Sequence, residues 1–524
     1  MKKIIIIGAG PAGLSAGLEL LRREKMDVTI IEESSYIGGI SRTVNAGEFR
    51  MDMGGHRFFS KIPRVNKFWD ELMPQQGYKS IDDIMLGRES RLSKGGPDPN
   101  MCDDVMLIRK RVSRIYYNKK FFDYPISLKL STIKNMGILN TFISMLSYIK
   151  SCISKMPENN LENFYINRFG KKLYSMFFKD YTKKVWGREP SKISATWGAQ
   201  RVKGLSIIKL IKNKLNQILH IKGDVETSLI EEFSYPKYGP GKLWEKACQE
   251  FMKLGGKVIQ NAKVNNILIE DNKVTGVEYI MNDNVYSKEC DILISSMPLK
   301  DLINSMEVPK NIKEIANNLP YRDFVTIGML LRKLNLRNTT KTRCFMDIVP
   351  DCWIYIQDKK VKMGRMQIFN NWSPYMLDNP KENVAVGLEY FCDESSKFFN
   401  SSDEDKVNFA IKELIKIGAI SSKNDVIKTH VEYVKKAYPA YFDSYEHIDE
   451  VKNYLNEYSN LYCIGRNGQH RYNNMDHSMM TGFLAADNIL SGQEDKSNIW
   501  NVNTEGEYHE TYESNSRKSA SSGS

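Results

Sequence analysis

Three glycines near the N-terminus, Gly8, Gly10 and Gly13, are spaced as G-x-G-x-x-G, and a site for the phosphates of a dinucleotide wants glycine at each of those places. The first permits a tight turn, the second lets backbone approach a pyrophosphate, and the third lets a helix pack closely on a strand. The phosphates would then rest on the positive end of that helix. The spacing alone is a weak signal, but its context is stronger. Lys3 to Ile7 is a β-branched run that predicts a strand, Leu14 to Arg23 carries a helical pattern, and Val28-Thr29-Ile30-Ile31 predicts a second buried strand. Glu32 follows at the tip of that strand, where an acid accepts from ribose hydroxyls. Glycines that merely serve turns would not call for it.

Two glycine doublets follow, Gly38-Gly39-Ile40-Ser41-Arg42 and Asp52-Met53-Gly54-Gly55-His56. They suit a backbone running alongside an extended flavin, with NH groups turned to phosphate and ring. With the strand Cys463-Ile464-Gly465-Arg466, these blocks resemble the amine-oxidase-like flavoproteins. Within that group the chain resembles the UDP-galactopyranose mutase family, in its eukaryotic form, over most of residues 3 to 490. The resemblance rests on blocks in order: Gly54-Gly55-His56-Arg57-Phe58-Phe59-Ser60; Lys184-Val185-Trp186 with Trp197 and Arg201; Cys352-Trp353-Ile354-Tyr355, then Arg365 and Phe369-Asn370-Asn371-Trp372-Ser373-Pro374-Tyr375; Ala437-Tyr438-Pro439; and Arg471-Tyr472-Asn473-Asn474-Met475-Asp476-His477-Ser478. Thr182 departs from it, standing where the eukaryotic family has asparagine.

The resemblance implies FAD, active when reduced, with NAD(P)H as a candidate external reductant. It implies interconversion of the pyranose and furanose forms of a nucleoside-diphosphate sugar, UDP-galactose first, by attack of reduced flavin N5 on the anomeric carbon. Arg201 and Arg365 are the implied diphosphate-gripping catalytic residues, since planar guanidinium groups bind phosphate oxygens bidentately, and His56 would lie beneath the flavin. Trp186, Trp197, Tyr355, Tyr438, Tyr472 and Asn474 are implied in substrate binding. Implied flavin contacts are Gly8, Gly10, Ala12, Gly13, Glu32, Glu33, Gly39, Ser41, Gly54, Gly55, His56, Val264, Gly465, Arg466, Asp476, His477 and Ser478. Each has a plainer reading. Arginines are most often surface cations, tyrosines and tryptophans core packing, and Asp476 a helix cap. A hydride-accepting FAD oxidoreductase of the amine oxidase, protoporphyrinogen oxidase or desaturase type stays open, as does a flavin-holding scaffold without activity.

These residues need elements from the whole chain to bring them together. The expected class is α/β, a Rossmann-type FAD-binding domain with a mostly helical insert and a mixed or antiparallel substrate sheet. FAD-binding parts are expected at 1–75, 223–305 and 458–492, a hairpin with an inserted loop at 76–125, helices at 126–222, the substrate sheet at 306–457, and a flexible polar tail at 493–524. The 524 residues suffice for more than one core. Hydrophobic residues at 41% and charged ones at 26% argue against collagen, disorder and a membrane-spanning class. A net charge of +12 favours anionic partners, yet it is spread along the chain, which predicts no nucleic-acid binding. No cysteine pair stands at CxxC spacing, so no metal is implied. The opening apolar run leads into glycines rather than a cleavage site, giving a cytoplasmic expectation. The apolar stretch Ile138 to Ile149 is too short to span a bilayer, which takes roughly 20 residues. It reads as a packed helix, with a membrane-surface contact as the lesser reading; a homo-oligomer stays open.

Overall fold

The computed structural model describes residues 1–124, 126, 130–195, 228–229, 232–503 and 511–512. A five-stranded, all-parallel sheet is assembled from widely separated segments, in the order Lys257–Ile259, Asp27–Ile31, Lys3–Ile7, Ile292–Ser295, Leu461–Cys463. Ile4, Ile5, Ile6, Val28 and Ile30 are buried, as continuous apolar runs must be when both faces of a parallel sheet are covered. The helix Pro11–Arg23 begins with proline at its first turn, a position where a missing N–H costs nothing. It packs through Gly17 onto Phe251 of the helix Pro240–Lys253 and through the backbone of Ala12 onto Gly482 of the helix Met475–Ser491. A three-stranded meander, Lys263–Glu270, Lys273–Met281 and Asn284–Glu289, hangs beside this sheet. Its turns are Asp271-Asn272 and Asn282-Asp283, all at positive φ, the pairing that two-residue hairpins favour.

The second large sheet has seven strands, in the order Val426–Pro439, Tyr321–Leu331, Val384–Cys392, Arg365–Ile368, Trp353–Ile356, Ser113–Tyr117, Lys120–Asp123. All neighbours are antiparallel except the parallel pair Trp353–Ile356 and Ser113–Tyr117. One apolar face packs with the helix Asp403–Ile417, whose Ala410, Ile411 and Leu414 join Ile327, Val386 and Leu388 in one core. The edge pairing is interrupted by a bulge. Arg322 pairs with Tyr438 and Phe324 with Val434, leaving Asp323 opposite Lys435, Lys436 and Ala437. Lys436 takes φ +51° there, and the Asp323 carboxylate accepts from the backbone N–H groups of Lys436 at 2.7 Å and Glu394 at 2.8 Å.

Between the sheets in sequence come the helices Leu130–Met136, Ile138–Ile153, Leu161–Phe177 and Lys179–Trp186. Gly170 interrupts the third at φ +77°, and a Cβ there would lie 2.8 Å from the backbone nitrogen of Tyr148. The architecture is thus the expected α/β class. Two expectations fail in detail. The Ile138 helix packs on the helix Leu161–Phe177 with its serine face, leaving most of its apolar side chains exposed. The tail is not loose at its start, because Ser497–Trp500 forms a helical turn that buries Ile499 and Trp500. Trp500 donates to Asn456 at 3.0 Å, and Lys496 donates to the Tyr458 carbonyl at 2.5 Å. Two apolar residues in a polar stretch are enough to anchor it.

Candidate active site

The turn between Lys3–Ile7 and Pro11–Arg23 has the stereochemistry its glycines predict. Gly8 sits at φ +100°, where a side chain would collide with Ser296, and a Cβ at Gly13 would lie 2.0 Å from the Gly8 carbonyl oxygen. Gly10 differs from both. Its Cβ position is open, with Gly39 Cα at 3.9 Å as the nearest contact, so the two glycine segments flank a space that a side chain would fill. Gly39, at φ +55°, opens the short turn Gly39–Ser41, and the Gly38 N–H donates to the Ala9 carbonyl at 2.9 Å. Glu32 accepts from the Ala9 N–H at 2.8 Å and from Ser34 at 3.0 and 2.7 Å. Gly465, at φ +76°, closes the cradle against Ala12. The buried Arg42 Nε has no hydrogen-bond partner among the described residues, although its other nitrogens reach the Gly39 carbonyl and Glu432.

A box of aromatic side chains stands beside this cradle. Trp353 packs on Gly55, where a Cβ would lie 1.9 Å from the indole. Tyr355 lies 4.5 Å from Tyr124 between ring centres and edge-on to Tyr181 and Trp353. Tyr438 stacks on Tyr472 at 5.3 Å, with Trp186 edge-on at 6.5 Å. Two guanidinium groups enter the box. Arg365 donates through Nε to Glu389 at 2.7 Å and through Nη2 to the Tyr438 hydroxyl at 2.7 Å. Glu389 is fully buried, faces Arg365 across the strand pair, and also accepts from Gln367 at 3.1 Å. Arg466 lies over Tyr472 at 5.0 Å and Tyr438 at 5.6 Å, held by the carbonyls of Asn473 and Ala437. It forms no ion pair among the described residues. One cation is therefore balanced internally while the other leaves its charge for a ligand.

Burial sets the protonation states. The Tyr438 phenol is pushed up to about 12 by desolvation, against the pull of Arg365, and the Tyr181 phenol is likewise raised by burial. These hydroxyls are neutral donors. His56 is pushed down to about 4 by burial and by the positive charge of Arg466. Its Nε2 lies 3.0 and 3.1 Å from the Ile40 and Met53 carbonyl oxygens, which assigns the ring proton of the neutral imidazole to Nε2. His56 thereby ties the two glycine doublets together.

Of the residues predicted from sequence, Gly8, Gly10, Ala12, Gly13, Glu32, Gly39, Ser41 and Gly465 converge at the cradle. Gly54, Gly55 and His56 lie between it and the box that holds Trp186, Tyr355, Arg365, Tyr438, Arg466 and Tyr472. Others face elsewhere. Glu33 pairs with Lys263 at 3.0 Å on the surface. Val264 is buried in the core with Ile7 and Ile31. Asp476 accepts from Ser60 and from the His477 N–H, both at 2.9 Å, pinning the start of the Met475 helix, in which His477 and Ser478 are buried. Asn474 precedes that helix without capping it through its side chain. Trp197 and Arg201 lie outside the described residues. Sequence reading missed Glu389, Tyr181, Tyr124 and Trp353 as participants. A carboxylate inside the run Val384-Ala385-Val386-Gly387-Leu388-Glu389 was a readable signal, because a buried charge needs a partner; Tyr124 and Tyr181 carry none.

Residues 6–72 match the NAD(P)-binding Rossmann-like domain family. Over 502 residues the chain is 20% identical to a 1-hydroxycarotenoid 3,4-desaturase of Flavobacterium sp. strain P99-3, covering 89% of this chain and 94% of that protein. It is 19% identical over 521 residues to protoporphyrinogen oxidase 2, chloroplastic/mitochondrial, of Arabidopsis thaliana, covering 95% of each. In structure it is similar to reduced UDP-galactopyranose mutase, with a TM-score of 0.74 at 20% identity over 96% of both chains. The chain has the fold of the amine-oxidase-like flavoproteins, built on a Rossmann-like domain.

Proposed function

We propose that the chain binds FAD and interconverts the pyranose and furanose forms of a nucleoside-diphosphate sugar, UDP-galactose being the first candidate. The observation that carries this reading is a pair of arginines, Arg365 and Arg466, set among tyrosine hydroxyls beside a glycine-built nucleotide cradle. A site that takes hydride from an apolar substrate has no use for that charge. The cradle fits FAD: the gap between Gly10 and Gly39 accepts a pyrophosphate, the Pro11 helix directs its positive end there, and Glu32 stands where a ribose binds. Reduced FAD, when bound, supplies an electron-rich nitrogen for the anomeric carbon.

The chain's own groups do the rest. Arg466, without a carboxylate partner among the described residues, offers full positive charge to a departing diphosphate. Arg365 presents its remaining edge to the same oxygens, aimed by Glu389 and Tyr438. The neutral Tyr438 hydroxyl and the Tyr355 hydroxyl donate to phosphate or sugar, and the Tyr438–Tyr472 stack and Trp186 wall the sugar from water. Neutral His56 fixes the loop on which flavin rests. Arg201 remains a third cation for this role on its sequence block.

Full-length similarity to a desaturase and to a protoporphyrinogen oxidase favours a second reading, an FAD oxidoreductase that takes hydride from its substrate. One experiment separates them. Dithionite-reduced holoprotein is incubated anaerobically with a panel of nucleotide sugars, and oxidised holoprotein is given a porphyrinogen or a polyene in air. Ring-isomer products in the first arm support the mutase; oxygen consumption in the second without isomers in the first assigns the oxidase.

A further inference from the structure

The helix Ile138–Ile153 is inside out. Its buried side chains are Ser144 and Ser151, whereas Ile138, Leu139, Phe142 and Ile153 are 86%, 72%, 52% and 83% exposed, with Met145, Leu146 and Ile149 on the same open side. The inner face has a steric cause. Gly170 brings the neighbouring helix against the backbone at Ser147 and Tyr148, and Ser147 Oγ accepts from the Lys172 N–H at 3.1 Å, so small side chains fit best. No such cause accounts for the outer face, because a solvated helix puts polar residues there. The preceding helix, Leu130–Met136, meets it at 106° and exposes Leu130.

Charge is arranged to match. No Asp or Glu occurs from Tyr124 to Pro157, while Lys134, Lys150 and Lys155 are exposed around the apolar face. Among the described residues no single helix is long and apolar enough to cross a membrane; Leu130–Met136 and Ile138–Ile153 reach that length and apolarity only together, across the 106° bend. An apolar helix face rimmed by lysine and too short to span lies in the plane of a membrane interface.

We propose that the Ile138–Ile153 helix docks this protein onto an anionic lipid bilayer, its apolar side chains among the acyl chains and Lys134, Lys150 and Lys155 at the phosphates. The inference is independent of the reaction catalysed. Full-length holoprotein is sedimented with vesicles of phosphatidylcholine alone or mixed with phosphatidylglycerol. Wild type should partition onto the anionic vesicles and be released by salt. Leu139→Glu, Phe142→Glu and Leu146→Glu combined should cut partitioning more than about tenfold with an unchanged melting temperature, as befits exposed sites. Lys134→Ala or Lys150→Ala should each lower it about fivefold. Wild type that ignores anionic vesicles overturns the proposal, as does a triple variant that still binds. A vesicle-indifferent wild type that is oligomeric, and made monomeric by the triple variant, would assign the face to a second copy. One destabilised by that variant would assign it to the chain's own residues 196–227.

Discussion

The cradle and the box lie side by side but are made of different materials. The cradle is backbone: Gly8, Gly10, Gly13, Gly39 and Gly465 create it by lacking side chains, and within it Gly8 and Gly13 are filled by the fold while Gly10 is left open. The box is all side chain, and its charges are unequal, Arg365 balanced by Glu389 and Arg466 not. The difference separates what the fold requires from what a ligand requires. Residues of the first kind fail by unfolding the protein, those of the second by emptying or silencing the site.

The largest effect tests that division inside the cradle. Gly13→Val places a side chain on the Gly8 carbonyl and should cost several kcal/mol, giving protein that neither melts cooperatively nor holds flavin. Gly10→Val meets no wall, so its apoprotein should melt as wild type does while flavin absorbance is lost. If Gly10→Val retains full flavin, the open position is not a phosphate site.

Next come the two arginines. Either alanine variant should lower turnover by about two to three decades with FAD still bound, and lysine should restore only part of it. Their stabilities should diverge. Arg365→Ala strands a buried carboxylate and should cost about 3–5 kcal/mol, which Arg365→Met with Glu389→Leu recovers without recovering activity. Arg466→Ala strands no carboxylate, only the carbonyls of Asn473 and Ala437, so it should cost less, about 1–2 kcal/mol. Equal destabilisation by both would erase the contrast.

The smallest effect concerns pH. His56 and the buried His470 are both pushed down to about 4, chiefly by burial, so the stability gained by keeping them neutral is complete above pH 6.5 and lost as pH falls toward 4. Asp52 has the opposite sign. Burial pushes its carboxyl up to about 7, which costs stability as pH rises from about 4 to 7. The carboxyls of Asp70, Asp323, Asp351 and Glu413 are raised by burial as Asp52 is, so the histidine contribution is the decline in urea midpoint between pH 6.5 and 4 that a variant without the histidine loses. His470→Gln should flatten that decline and Asp52→Asn should steepen it, His470 accounting for up to about 3 kcal/mol.

The cradle was legible in sequence because glycine spacing is itself the geometry: a turn, an approach and a close packing are all local. The parallel sheet was legible as well: each of its five strands is an apolar run, and all five fall in the segments 1–75, 223–305 and 458–492 expected to build the FAD-binding domain. The box was legible only in part. Tyr355, Arg365, Tyr438 and Tyr472 could be named through resemblance, but that Glu389 faces Arg365 depends on the register of two strands 24 residues apart, and register is set by the pattern of burial across a whole sheet. The division of labour between the arginines was not legible, since ion pairing is a tertiary fact. The Ile138 helix misled because its pattern is sound and its orientation inverted; periodicity tells that a face is apolar, not which way it looks.

The bulge opposite Asp323 has a consequence for how this protein can change in length. Lys435 to Ala437 stand together opposite Asp323, and Tyr438 keeps the face its pairing with Arg322 requires. Changes of length at this point are absorbed within the bulge. Losing one of Lys435 to Ala437 leaves two residues opposite Asp323, an ordinary bulge of the kind this strand pair already carries at Ile427, so Tyr438 keeps its pairing with Arg322, its stack on Tyr472 and its reach to Arg365.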